Sequence, residues 1–208
     1  MELLAPESMR RMPWKNGGGV TTEIAIAPAG ATLDTFDWRV SAAQVDAPGP
    51  FSRFDGIDRT LAVTAGGNLT LQRAGGERVS LAPGGHPVSF PGEAEIHATL
   101  DAPLHDFNVM TRRNAWAHHV EVLTLEAGAQ RKLRRLRQRM QWLIYGVEGT
   151  VSVGAPGAGE VHAKPGAGIW LGTPSGEETL SAGVAWAGYL VALWPIAETC
   201  GARAEIAR

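Results

Sequence analysis

Cysteine is almost missing from this chain. Cys200 is the single one in 208 residues, which excludes an internal disulfide and any metal site built from several thiolates. Long apolar runs are missing too, and nothing approaches the roughly 18 residues of a membrane-spanning helix. The first residues, Met-Glu-Leu-Leu-Ala-Pro-Glu, lack a basic leader followed by an apolar stretch, so no secretory signal is expected and a cytoplasmic protein is. Charge of one sign is not in excess: 19 basic and 21 acidic residues leave a formal −2, with no global pull toward nucleic acid or anionic lipid. There is no Gly-x-Ser-x-Gly elbow. There is no phosphate-binding loop either, because Lys15 precedes the glycines Gly17 to Gly19 and no Gly-Lys-Ser/Thr follows.

Glycine and proline are plentiful instead, 26 and 13 of them, spread along the chain as the punctuation of many short strands. Leu69 to Gln72 and Thr150 to Val153 alternate as half-buried strands do. Only Ser8 to Met12 and the stretch near Arg131 offer a helical alternative, so the expected class is all-β. The chain also repeats itself. Leu61–Gly67 aligns with Leu143–Gly149, Leu69 and Leu71 with Val151 and Val153, and Val79–Gly84 with Val161–Gly166, all at an offset of 82. Apolar stretches, Val88–Phe90 and Ile169–Leu171, follow both Pro-Gly turns. Strand, Gly turn, strand, Pro-Gly turn, strand is the pattern of a cupin-type jelly-roll β-barrel. Two tandem barrels are expected, 1–115 and 116–208, joined near Arg113 to His119 and packed as one compact unit.

Three blocks carry a more specific likeness. PWKNGGGVTTEIAIAP (Pro13 to Pro28), WRVSAAQVDAPGPFSRFDGIDRTLAV (Trp38 to Val63) and HDFNVMTRR (His105 to Arg113), in that order, resemble the HutD/Ves family. The likeness is close over residues 8 to 113 and thinner over 120 to 195. It implies a small bicupin, and HutD accompanies the histidine-utilisation enzymes of bacteria.

Metal binding is not expected, and neither is any other cofactor. Enzymatic cupins hold their ion with a His-x-His pair and a following Glu, ligands suited to Fe, Mn, Ni or Zn. Here the six histidines, 86, 97, 105, 118, 119 and 162, form no such pair. His118 and His119 are adjacent, so on a strand they point to opposite faces.

Polar candidates gather in the first half. A period of two places Asp106, Asn108, Met110 and Arg112 on one strand face, and Arg39 and the Asp58–Arg59 pair add further guanidinium groups. Asp58 with Arg59, or Asp106 with Arg112, read equally as structural ion pairs. The second half, aligned at 82, has Met140 and Gln141 in place of Asp58 and Arg59 and no Asn-x-Met-x-Arg run. One barrel looks furnished and the other filled. Arginine grips a carboxylate bidentately and an Asn amide both donates and accepts, so the expected ligand is a small carboxylate with an amide-like end. The candidate ligand residues are Lys15, Asn16, Thr22, Ser41, Asp58, Arg59, Asn108 and Arg112. The family likeness makes N-formylglutamate a candidate, ahead of urocanate and formiminoglutamate.

Arg131 to Arg139 carries six cations in nine residues without interleaved aromatics, and reads as a solvated strand face rather than a nucleic-acid patch. The seven tryptophans and edge strands leave room for a homodimer. The expected function is a non-enzymatic, metal-free sensor or governor of histidine or nitrogen utilisation. The alternative is a metal-independent enzyme using Lys15, Asp58 or Asp106 as acid or base on such a carboxylate.

Overall fold

In a computed structural model, residues 1–134 and 139–196 are described. Arg135 to Gln138, within the basic run, and Cys200 lie outside them. The chain divides into two compact units, one formed by residues 9–117 and the other by residues 1–8 with the segment that begins at His118. The division falls inside one strand, Trp116–Leu125, and the Glu2–Leu4 strand pairs with Gly168–Gly172 of the second unit.

The first unit is a pair of antiparallel sheets. The larger runs Arg10–Pro13, Gly19–Ala27, Trp38–Val45, Leu104–Arg112, Ile57–Gly66, Val88–Pro91, each strand hydrogen-bonded to the next. The smaller runs Gly49–Pro50, Ile96–Leu100, Leu69–Arg73, Arg78–Leu81. Alternation along these strands sends Val45, Leu61, Val63 and Leu104 from one sheet and Leu69, Leu71, Ile96 and Ala98 from the other into a common core. Ile26, Phe36, Ile57 and Met110 close one end.

The second unit repeats the arrangement. Its larger sheet runs Glu2–Leu4, Gly168–Gly172, Gln141–Glu148, Trp186–Pro195, Trp116–Leu125, and its smaller one Gln130–Lys132, Thr179–Ser181, Val151–Gly154, Val161–Ala163. The order Trp38–Val45, Leu104–Arg112, Ile57–Gly66, Val88–Pro91 recurs as Trp116–Leu125, Trp186–Pro195, Gln141–Glu148, Gly168–Gly172, the flanking strands of the larger sheets differ, and each unit is a cupin-type jelly roll. The only helical element among the described residues is the 3-10 turn Pro6–Ser8, and Arg10–Pro13 is a strand. No helix among them is long and apolar enough to cross a membrane.

The internal offset is not constant. Arg59 faces Met110 across the Ile57–Gly66 and Leu104–Arg112 ladder, and Trp142 faces Ala192 in the second unit. Since 110 and 192 differ by 82, the partner strands are displaced by 83. Trp142, not Gln141, therefore stands where Arg59 does. The equivalent turn glycines agree: Gly66 and Gly149 both take positive φ, +88° and +68°, with a carbonyl, Pro103 O or Ala185 O, where a Cβ would sit.

Candidate functional site

The middle strands of the first unit's larger sheet pair in a register that builds three rows on the inner face. Met110 lies between Arg39 and Arg59, Asn108 between Ser41 and Leu61, and Asp106 between Ala43 and Val63. Arg39, Arg59, Ser41, Asp106 and Asn108 are all buried, none more than 9% exposed. Both guanidinium groups thus enter at one level of the barrel, with an amide one row along and a carboxyl one row further.

Each charge is held differently. Arg39 donates from Nε to Glu23 Oε2 at 2.7 Å and from Nη1 to Ser41 Oγ at 3.4 Å. Glu23 reaches the interior because the Gly19–Ala27 strand has a bulge between Glu23 and Ala25, which lets both Glu23 and Ile26 pair on the inner side. Arg59 is surrounded by phenyl rings: its guanidinium carbon lies 5.1, 5.5 and 5.2 Å from the ring centres of Phe51, Phe54 and Phe90. Such cation–π contacts strengthen where water is excluded. Its Nη1 donates to Ser52 O at 3.1 Å, and its buried Nε has no hydrogen-bond partner among the described residues. The same is true of Asn108 Oδ1.

Burial also displaces the titrations. It pulls the Arg59 guanidinium down to about 10, with Asp106 opposing the fall and Arg39 adding to it. Burial pushes the Asp106 carboxyl up to about 7, while the charge of Arg59 and a hydrogen bond from the Ala43 backbone work against the rise. A carboxyl of that kind exchanges protons near neutrality.

The other sequence candidates lie elsewhere. Lys15 and Asn16 are exposed in the turn joining Arg10–Pro13 to Gly19–Ala27, where Asn16 Oδ1 accepts from the Gly18 N–H at 3.1 Å. Gly19 pairs with Val45, six residues along the strand from Arg39, so this turn sits about 20 Å from the arginine row. Gly19 is required by packing, since a Cβ would meet Gln44 O and the Trp14 ring. Thr22 pairs with Ala42 on the opposite face from Ser41. Asp58 alternates with Arg59, so it faces out and accepts from Arg113 Nε at 2.6 Å, while both Arg113 Nη atoms grip Glu93. Arg112 fastens a loop, its Nε and Nη2 donating to Phe36 O and Nη2 also to Asp34 O. Of the eight, the structure brings together Ser41, Arg59 and Asn108, and joins to them Arg39, Asp106 and Glu23. Arg39 and Asp106 are visible from alternation; Glu23 is not, because the bulge breaks it.

The histidines take no part: His97 and His105 are exposed. No group of three or more His, Cys, Asp or Glu converges among the described residues. Arg131 belongs to the short strand Gln130–Lys132 of the smaller sheet and pairs with Glu121 at 2.9 Å, and the strand that precedes it is Trp116–Leu125 of the larger sheet.

Two jelly rolls of one strand order, the first with a charged interior, define a bicupin. Residues 6–185 match the family model described as HutD, and the chain belongs to that family, which is linked to histidine utilisation. It is 37% identical over 111 residues to an uncharacterized 21.2 kDa protein in the hutC 3′ region of Pseudomonas putida, a match covering 53% of this chain and 57% of that protein. The match thus spans less than two thirds of that relative. Among solved structures, PA5104 of Pseudomonas aeruginosa PAO1, a conserved protein of unknown function, superposes with a TM-score of 0.82 at 28% identity over 93% of this chain and 98% of that one. HutD from Pseudomonas fluorescens SBW25, solved in a formate condition, gives 0.74 at 25% identity over 94% and 99%.

Proposed function

We propose that the first barrel binds a small carboxylate, with N-formylglutamate as the candidate, and that the protein acts as a metal-free sensor or governor of histidine utilisation. One observation carries this reading: Asn108 Oδ1 and Arg59 Nε are both buried on the inner face without hydrogen-bond partners among the described residues. Leaving such an atom unpaired costs about 1–3 kcal/mol, so two of them among charged neighbours fit a site completed by a ligand. Arg59 supplies a donor for a carboxylate oxygen, and Asn108 an acceptor for an amide N–H. The HutD relative solved in a formate condition was exposed to the smallest carboxylate.

The test is a thermal-shift series with N-formylglutamate, urocanate, formiminoglutamate, glutamate and formate on the wild type and Arg59→Met. At about 100 times its dissociation constant a ligand adds roughly 2.7 kcal/mol of stability, which moves a melting curve clearly. A selective shift, weakened at least tenfold in Arg59→Met, is expected. No shift in folded protein, or an undiminished one in the variant, overturns the reading. For the sensor role, a strain carrying Arg59→Met is expected to alter induction of histidine degradation, and unchanged induction counts against it.

A second reading, a metal-independent enzyme, is favoured by Asp106 alone. A buried carboxyl titrating near 7 is suited to proton transfer. Turnover of any of the five compounds that disappears in Asp106→Asn would establish it.

A further inference from the structure

We propose that Asp106 is a built-in competitor for the anion site, so that a carboxylate entering the first barrel is taken up together with one proton, which Asp106 receives. The inference rests on the carboxylate reading above and adds its regulation.

The charges of the interior are few. From the strands on either side of Leu104–Arg112 come Arg39 and Arg59; from Gly19–Ala27 comes Glu23; and Asp106 belongs to Leu104–Arg112 itself. The smaller sheet sends Leu69, Leu71, Leu81, Ile96 and Ala98 into the same core, and Arg73, which shares their face at the end of its strand, is paired with Glu77 at 2.8 Å. Two cations face two carboxylates, and the empty barrel is formally neutral when Asp106 is ionised. Glu23 is engaged with Arg39 at 2.7 Å, so Arg59 has Asp106 as its remaining counter-charge. The two interact through space along one face, the inner-row neighbour of Arg59 being Met110 and that of Asp106 being Val63.

An anion beside Arg59 and Asn108 would leave three negative charges against two positive ones in a dry interior, an arrangement that low dielectric penalises heavily. Glu23 is held by Arg39 Nε at 2.7 Å. Asp106, accepting from the Ala43 backbone but gripped by no guanidinium, is the group that gives way. A proton passes from buffer to an Asp106 carboxylate oxygen, the charge of one entering carboxylate group is offset, and the new O–H becomes a donor inside the site. Binding then reports ambient pH as well as ligand concentration, since its free energy includes protonation of Asp106.

The experiment is calorimetric titration of sodium formate and of N-formylglutamate, neither of which titrates between about pH 6 and 9, in two buffers of different ionisation enthalpy. Wild type at pH 7.5 is expected to take up more than about half a proton per site, with affinity falling toward tenfold per pH unit above about 7. Asp106→Asn is expected to show no uptake and a flat pH dependence. As a readout on the unaltered protein, infrared difference spectra at pH 8 should gain a protonated-carboxyl band on ligand addition. Binding by the wild type with no proton uptake and no such band overturns the inference while leaving the carboxylate site standing. Failure of both probes to bind folded protein at any pH defeats the carboxylate reading, and this inference with it.

Discussion

The two barrels are built on one strand order, yet their equivalent inner positions are occupied by opposite chemistries. Where the first has Met110 facing Arg59, the second has Ala192 facing Trp142. Asn108 beside Leu61 becomes Leu190 beside Ile144, and Asp106 beside Val63 becomes Gly188 beside Gly146. Gly188 makes room for an indole, since a Cβ there would collide with the Trp186 ring, and Gly146 lies against the same indole. The second barrel therefore fills with Trp186, Trp142, Ile144 and Leu190 the volume in which the first holds charge. Among the described residues, the indole nitrogens of Trp142 and Trp186 and Gln141 Oε1 are buried there without hydrogen-bond partners. Its buried carboxylate, Glu178, is tied to Ser175 N, Ser175 Oγ and Gly176 N. The scaffold does not need a polar interior, so the cost of the first barrel's charges points to use rather than architecture.

If Trp186 is the filler that allows the second barrel to dispense with charge, removing it should do the greatest damage. Trp186→Ala would leave a cavity over two glycines that cannot fill it, and a loss of about 3–5 kcal/mol is expected in urea denaturation. A loss below 1 kcal/mol would mean that the second barrel is not held by its core and that the contrast is misdrawn.

The next effect separates the barrels by pH. Asp106 titrates near 7 in the folded protein and near 3.8 when unfolded, so the native state binds the proton more tightly. Its contribution to stability is full below the unfolded value and is lost as pH rises through the folded one. Between pH 5 and pH 8 the wild type should lose about 3 kcal/mol relative to Asp106→Asn, an order-of-magnitude figure from that shift. Parallel pH profiles for the two proteins would show that the carboxyl is not displaced by burial.

Much of this contrast was legible in the chain. A period of two from Asp106 to Arg112 grouped Asp106, Asn108 and Met110 on one face, though not which face is the inner one, and the Gly and Pro-Gly turns revealed the duplication. What escaped did so for local reasons. A bulge at Glu23 shifted the phase of its strand, hiding the partner of Arg39 and leaving Thr22 on the wrong face for Ser41. A one-residue difference between repeats gave Gln141, not Trp142, as the counterpart of Arg59. Lys15 and Asn16 carry the most conspicuous motif, but their type and spacing describe a turn as well as a binding loop, and hairpin geometry decided it. Arg112 lies at the end of its strand, where alternation no longer fixes direction and loop carbonyls are within reach.

The smallest effect is the most discriminating. Asn108→Leu copies Leu190 of the second barrel into the first and removes an acceptor that has no partner among the described residues. Replacing an orphaned buried polar group with an apolar one of similar size is neutral to stabilising, and a gain of about 1 kcal/mol is expected in denaturant. The same change should abolish the thermal shift given by N-formylglutamate, because the amide acceptor is gone. A gain in stability with loss of the ligand response is the signature of a residue kept for binding at the expense of the fold. If the variant is instead markedly destabilised, Asn108 is serving the barrel itself, and the distinction between a furnished barrel and a filled one loses its central residue.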